Sequence, residues 1–413
     1  MARILLHTLV FAPDGVSTAY LMTDLARQLS SSGHTVTVLT TTPHYNLAPG
    51  ALERQPMRRV WPGLLYRSDV EGIPVFHVVM PRKGAKVSAR IADYVRFHTI
   101  ALLATWRVGR YDIVFAPSPP LSIGVVAWLQ ARLRGAKAVY NVQEIFPDFL
   151  VSQGLIRSSR LIAFLRRMER FVYRRCDAIV TISPWFTRTI AARGALNGRL
   201  FTVPNSVDAA LYRPMARDTA FSREHGLNDR FVILYGGNIG LSQDWTSVLH
   251  AAEHVRDLPI VFVIVGGGAA EEMLRAEVTR RALDNVRLLG YQPRERMPEI
   301  NASSDLGTIP MKTGGTTDTF PSKIYTIMAC ARPVLVSADD DSELKWLVET
   351  AACGRVVPPD DPAAYLTAVR RAFAEREALR PEGERGRAYV EKSYSKEAVG
   401  KSYDELLRSL AGH

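Results

Sequence analysis

Eleven short apolar runs recur along the chain, and helix-length spans separate most of them. They fall at residues 4–11, 35–40, 75–79, 113–116, 138–142 and 179–182, then at 231–235, 261–265, 286–288, 306–310 and 334–337. The runs are continuous rather than alternating, so each predicts a strand buried on both faces. Strands of that kind belong to parallel sheets covered by helices on either side. Eleven are too many for one compact sheet. The pattern therefore predicts an α/β protein of two doubly wound, Rossmann-like domains that face each other across a cleft. The break falls near Val203-Pro204-Asn205. Residues 1–204 form the first domain and 205–388 the second, with 205–218, preceded by Pro204 and containing Pro214, a hinge linker. The tail from 389 to 413 reads as helical and crosses back onto the first domain.

Charge divides the chain at the same place. Residues 1–205 hold 26 Lys and Arg against 11 Asp and Glu, a net +15, whereas residues 206–413 carry a net −4. Such asymmetry points to an anionic partner for the first half alone. One basic stretch is Arg82-Lys83-Gly84-Ala85-Lys86, with Arg90, Arg96 and Arg107 beyond it. The other runs from Arg157 to Arg175, where Leu161, Leu165, Met168 and Val172 make a helical stripe among six arginines. Each stretch has two readings: a core-facing stripe with a solvated basic back, or a helix suited to an anionic membrane surface. Nucleic acid fits less well, because exposed aromatics are not interleaved with these arginines. No run of about 18 apolar residues exists, which excludes a helix spanning a bilayer. The opening residues 4–12 resemble a secretion signal, but they flow into Pro13-Asp14-Gly15 and a helix-strand pattern, so a folded βαβ unit is expected. Cys176, Cys330 and Cys353 are distant and odd in number, which excludes a disulfide framework and suits a reducing cytosol.

Ligands of doubly wound sheets bind beyond the carboxyl ends of the strands, and four segments there carry chemistry. Gly15-Val16-Ser17 opens a helix and offers free N–H groups to an anion. It is not a GxGxxG turn, so a nicotinamide cofactor is weakly supported. Gly236-Gly237-Asn238, with Gly240 and Gln243 beyond, and Gly266-Gly267-Gly268 are two glycine loops that permit close approach of a phosphate or sugar. Asp318-Thr319-Phe320-Pro321-Ser322-Lys323 leads into a helix, with Ser322 placed to cap it. Lys323 in the first turn opposes the helix dipole unless an anion is bound. Gln143-Glu144 ends a buried strand, where polar groups are costly without a role, so Glu144 is a candidate acid, base or hydroxyl-orienting group. His250 with His254 lacks a third ligand, and Asp339-Asp340-Asp341 reads as a charged turn. No metal site and no resident cofactor are expected.

These segments, in this order, resemble the family 4 retaining glycosyltransferases of the GT-B fold. The similarity is greatest to the branch that builds bacterial O-antigen, capsule and colanic acid, N-acetyl-L-fucosamine transferases included. It rests on Gly33-His34, Gln143-Glu144-Ile145-Phe146-Pro147, Thr181-Ile182-Ser183 and Val203-Pro204-Asn205-Ser206-Val207-Asp208. It continues through Tyr235-Gly236-Gly237-Asn238, Val265-Gly266-Gly267-Gly268, Pro321-Ser322-Lys323, Met328-Ala329 and Arg332-Pro333-Val334. The chain also departs from the larger family. The Glu-x7-Glu pair reads Asp318 and Thr326, the phosphate-gripping Arg and Lys read Asn238 and Gln243, and the His-Asp of the first domain reads Gln143-Glu144.

The resemblance implies a nucleotide sugar bound mostly by the second domain. Gly266, Gly267, Gly268, Tyr291 and Gln292 would frame the base, and Asp318 the sugar hydroxyls. Lys323, with Phe320, Pro321, Ser322 and Thr326 around it, would meet the leaving diphosphate in place of a metal. It implies an acceptor, a saccharide or a polyprenyl-diphosphate-linked one, beside Gly15, Val16, Ser17, Gln143 and Glu144. The setting implied is the cytoplasmic face of a bacterial membrane. Two other activities fit the same architecture: a sugar-nucleotide epimerase, and a glycosyltransferase acting on a soluble natural product.

Overall fold

Two sheets, each with its own hydrophobic core, account for the chain. The computed structural model describes all residues except 46, 48–49, 81–86, 153, 195, 197, 316–319 and 413; for 87–91 only the backbone is described. The first compact unit comprises Met1–Asn205 and Val399–His413, the second Ser206–Ala398. The first contains β1 (Arg3–His7), β2 (Thr35–Thr41), β3 (Arg58–Trp61), β4 (Leu65–Val70), β5 (Ile73–Val78), β6 (Ile113–Pro117), β7 (Lys137–Val142), β8 (Ala178–Thr181) and β9 (Leu200–Thr202). They are ordered β3-β4-β5-β2-β1-β6-β7-β8-β9. All neighbours are parallel except the β3-β4-β5 meander at one edge. The second contains β10 (Phe231–Gly236), β11 (Ile260–Val265), β12 (Val286–Leu289), β13 (Leu306–Pro310), β14 (Val334–Ser337) and β15 (Gly354–Val357). Their order is β12-β11-β10-β13-β14-β15, parallel throughout.

Strand order reverses between β1 and β6 in one sheet and between β10 and β13 in the other. Those two points, at the carboxyl ends, are where a doubly wound sheet opens a crevice. Ile264, Phe262 and Ile233 pack one face of the second sheet against the helix Trp245–His254 and Tyr365, while Val232, Leu234, Val261 and Val263 fill the other. Both faces are therefore covered, as the unbroken apolar runs require.

The expected strand 4–11 ends at His7. Thr8 Oγ1 then donates to the Val10 carbonyl and Asp14 N to that of Phe11, so residues 8–14 turn instead of extending. The tail also differs from expectation. The helix Leu379–Ser393 stays with the second unit, where Tyr389, Val390 and Tyr394 enter its core. The chain passes to the first unit only in the following helix, Lys396–Ala411, whose Val399, Tyr403, Leu406 and Leu407 pack beside β1 and β6. The supposed hinge 205–218 is tied down after its first residue. Val207 pairs with Ser395, Lys396 salt-bridges Asp208 at 2.7 Å, and the Arg387 guanidinium donates to the carbonyls of Ala209, Tyr212 and Ala329. Among the described residues no helix is long and apolar enough to cross a membrane.

Candidate active site

At the β10/β13 switch point the two glycine loops close on each other. Gly237 N donates to Val265 O at 2.8 Å, Ile239 N to Gly267 O at 2.9 Å, and Ala270 N to Ile239 O at 2.9 Å. A Cβ on Gly266 would lie 1.9 Å from the Gly237 carbonyl oxygen, and one on Gly268 would lie 2.5 Å from that of Ile239. Both glycines also sit at positive φ, +137° and +158°. Their bareness therefore serves loop-against-loop contact, a role that the sequence pattern does not show. Asn238 reaches toward both Gly240 and Gly268 with its side chain. Gln243 is buried and turned onto its own loop: its Oε1 accepts from Gly240 N at 2.7 Å and its Nε2 donates to Ser242 Oγ at 3.1 Å. It shapes the loop rather than facing outward as a ligand group. Tyr291 stands exposed over Gly267, its hydroxyl donating to that carbonyl at 2.8 Å, and Gln292 accepts from Arg296.

Lys323 completes this edge. It begins the seven-residue helix Lys323–Ala329, and Ser322 occupies the cap position without a side-chain capping bond, contrary to expectation. The Lys323 Nζ lies 3.8 Å from the centroid of the Tyr235 ring and donates to the Tyr235 hydroxyl at 2.5 Å. Among the described residues no carboxylate pairs with it, and burial without a counter-charge lowers its pKa to about 7. Thr326 spends its hydroxyl proton on the Lys323 carbonyl at 2.8 Å. Phe320 packs on Tyr325 at 5.3 Å and, with Pro321, holds the approach to the helix. Asp318 lies outside the described residues. The loop before it is anchored by acids: Asp360 accepts from Thr313 N and Asp339 from Gly314 N, both at 3.0 Å. Asp340 bonds Lys345, and among the described residues no three His, Cys, Asp or Glu converge as a metal site.

The first unit presents a different edge. The loops leaving β1, β6 and β7 each contain a cis X-Pro bond. Asp14, 2 % exposed, accepts from His44 N and Tyr45 N, and Gly15 N donates to Tyr45 O, so the Gly15-Val16-Ser17 turn is braced from behind. The helix Ser17–Ser31 starts there with no side-chain cap. Gln143 is engaged at both ends of its amide, donating to Asn141 at 2.5 Å and accepting from Asn205 at 2.8 Å. Its N–H, like that of Glu144, points at Ser118 Oγ. The half-buried Glu144 carboxylate has no partner among the described residues, and burial raises its pKa to about 7. Tyr235 and Asp14 stand within segments quoted from the sequence but were given no role, and Ser118 was not named. Tyr235 and Ser118 end or follow apolar strands, as Glu144 does, and that position was the available signal.

Of the basic stripe, Val172 is buried, Leu165 and Met168 are half-buried, and Leu161 is exposed. The core-facing reading thus holds for only one end of the helix Ser159–Arg175. The cluster at 82–86 lies outside the described residues.

Two doubly wound α/β units, each with a switch point in a mainly or wholly parallel sheet, define the GT-B architecture. Residues 18–206 match the Glycosyl transferase 4-like domain, and residues 217–389 match Glycosyl transferases group 1. The chain belongs to the family 4, GT-B glycosyltransferases and is a glycosyltransferase. It is 24% identical over 424 residues to WcaI of Escherichia coli K12, named for colanic acid biosynthesis, covering 98% of this chain and 100% of that one. Among solved structures it resembles sucrose-phosphate synthase from Thermosynechococcus elongatus (TM-score 0.78, 17% identity, 99% of each chain). It also resembles Anabaena HepE in complex with UDP and glucose (TM-score 0.74, 16% identity, 99% of this chain and 100% of that one).

Proposed function

We propose that the protein transfers a sugar, with retention of configuration, from a nucleoside-diphosphate donor to a saccharide or polyprenyl-diphosphate-linked acceptor in surface polysaccharide assembly. The observation that carries this reading is Lys323: a desolvated amine without a carboxylate partner among the described residues, at the switch point of a sheet, beside the glycine loop at Gly237. An anion completes such a site. A diphosphate arriving there pairs with the amine, and the charge that grows on it as the glycosidic bond breaks is met by a cation already in place. One preorganised contact of this kind is worth about 3–4 kcal/mol of barrier. Tyr291, exposed above Gly267, offers a face on which a base can stack. The names of relatives, for colanic acid biosynthesis and O-antigen chains, support surface polysaccharide assembly as a class.

In this reading Lys323 does the work of a metal, and Glu144 orients or deprotonates the acceptor hydroxyl in the first unit. Lys323→Ala is expected to lower turnover about 100-fold or more with the fold intact. Wild-type turnover in that variant removes the lysine from the mechanism. Activity is expected to survive EDTA; abolition rescued by manganese would promote Asp339 and Asp341 instead.

A lipid-linked acceptor accounts for the charge of the first unit. The helices Val87–Leu103, Ser122–Arg134 and Ser159–Arg175 pack side by side there. Val95, Leu133, Leu161 and Phe164 stand exposed on them, with Arg160, Arg167 and Arg170. Their only acids are Asp93 and Glu169, and Glu169 is buried against Arg193. Apolar tips among arginines suit an anionic bilayer, each arginine contributing about 1 kcal/mol near its surface. Sedimentation with phosphatidylglycerol vesicles, absent with phosphatidylcholine and lost in a Phe164→Glu, Arg167→Glu variant, is the expected result. Equal binding to both vesicles would contradict it.

A further inference from the structure

We propose that Tyr235 is the positioning residue of this site: its ring and hydroxyl together hold the Lys323 ammonium in the slot opened by Gly237, ready for the donor diphosphate. The inference rests on Lys323 meeting that diphosphate, and adds the group that places it.

Tyr235 is the last side chain of β10 before the glycine turn and is 1% exposed. Its ring is fixed by an edge-on contact with Trp245, centroids 4.8 Å apart at 75°. Trp245 is itself anchored through Nε1 to the Gly240 carbonyl at 3.2 Å. The aromatic face is thus rigid before any ligand arrives. A cation above such a face is attracted by the ring quadrupole, the more so where water is excluded. The slot is also bounded by Gly237, at φ +136°, where a Cβ would come within 3.2 Å of Nζ and 3.3 Å of Cε.

The hydroxyl has a defined polarity. It donates its single proton to the Asn238 carbonyl and accepts from Lys323 Nζ. With its proton committed, the hydroxyl has none to give a phosphate oxygen, so its influence on the donor passes through the lysine. It also ties the position of the ammonium to that of the 237–238 turn, since one oxygen bonds both.

The test is a double-mutant cycle on the full-length enzyme, with kcat, KM and the pH profile of kcat/KM as readouts. Tyr235→Phe keeps the ring and removes the acceptor. It is expected to lower kcat about 10-fold with little change in melting temperature. Losing the acceptor disfavours the ammonium, so the alkaline limb should also move to lower pH. In a Lys323→Ala background the same substitution is expected to change kcat less than 2-fold, because the group it acts through is gone. An equal loss in both backgrounds would show that Tyr235 merely supports the Asn238 turn and would overturn the proposal. So would wild-type kinetics for Tyr235→Phe alone. Loss on Lys323→Ala with no coupling to Tyr235 sinks this inference and spares the site; no loss on Lys323→Ala sinks the site itself. If Tyr235→Phe does not fold, 3-fluorotyrosine at 235 keeps the shape while weakening ring and acceptor, and is expected to shift the alkaline limb the same way. An unmoved limb there contradicts the proposal.

Discussion

The two carboxyl edges share a strand order and differ in what they present. At the β10/β13 edge the backbone does most of the shaping: two glycine loops interlock, Gln243 is folded onto its own turn, and one amine is left beside an aromatic ring. At the edge of the first unit side chains do it: Asp14, Ser118 and Gln143 brace the loops, and one carboxylate is left half-buried. Topology fixes where each crevice lies. In the proposed reading the residual charge, positive in one and negative in the other, sets the ligand: an anionic leaving group for Lys323 and a hydroxyl for Glu144.

The largest effect expected from this difference is on stability. Gly266→Ala drives a methyl into the Gly237 carbonyl at a positive φ and should cost the second unit about 3 kcal/mol or more in denaturant titration. Gly290→Ala, with nothing within 4 Å, should stay within about 0.5 kcal/mol. Similar costs for the two would break the claim that the loops are interlocked. Next in size is Glu144→Gln. Its carboxyl is charged only above about pH 7, while Lys323 loses its proton above about pH 7. The account expects kcat/KM to rise and then fall around neutrality, and Glu144→Gln to remove the acid limb and about 10–100-fold of rate. A surviving acid limb would take Glu144 out of the chemistry. The smallest effect separates the units by acid. Burial lowers His7 to about 3 and His77 and His98 to about 4, all in the first unit. The unfolded chain gains protons below about pH 6.5 where the fold does not. Stability is therefore full above that pH and falls toward pH 4, by about 1 kcal/mol per histidine at pH 5.5. His77→Gln, which keeps a hydrogen-bonding side chain beside Ser68, should blunt the slope.

All eleven strands anticipated from apolar runs are present, because burial on both faces leaves an unbroken signature. The four that were not anticipated lack it. β3 and β4 form an antiparallel edge with Arg58, Arg59 and Arg67 in it, β9 is three residues long, and β15 four. The candidate site was legible where residue type announces it: the glycine loops, Lys323 and Glu144 are named from the sequence, and the structure sets them at the carboxyl edges of their sheets. It was opaque where function depends on who touches whom. Nothing in the order Tyr235-Gly236-Gly237 says that the ring faces a lysine 88 positions away. Nor does Gln243 reveal that its amide closes on Gly240. The helical pattern from 389 onward hid the break at Tyr394, where the helix Leu379–Ser393 ends and the crossing helix begins.

The most direct measurement is calorimetric titration of the enzyme and its Lys323→Ala variant with matched nucleoside mono- and diphosphates across the common bases. The account predicts that the wild type prefers the diphosphate of its own base and that the variant loses most of that preference while keeping its affinity for the monophosphate. A variant that still favours the diphosphate to the same degree would contradict the claim that this amine grips the leaving group.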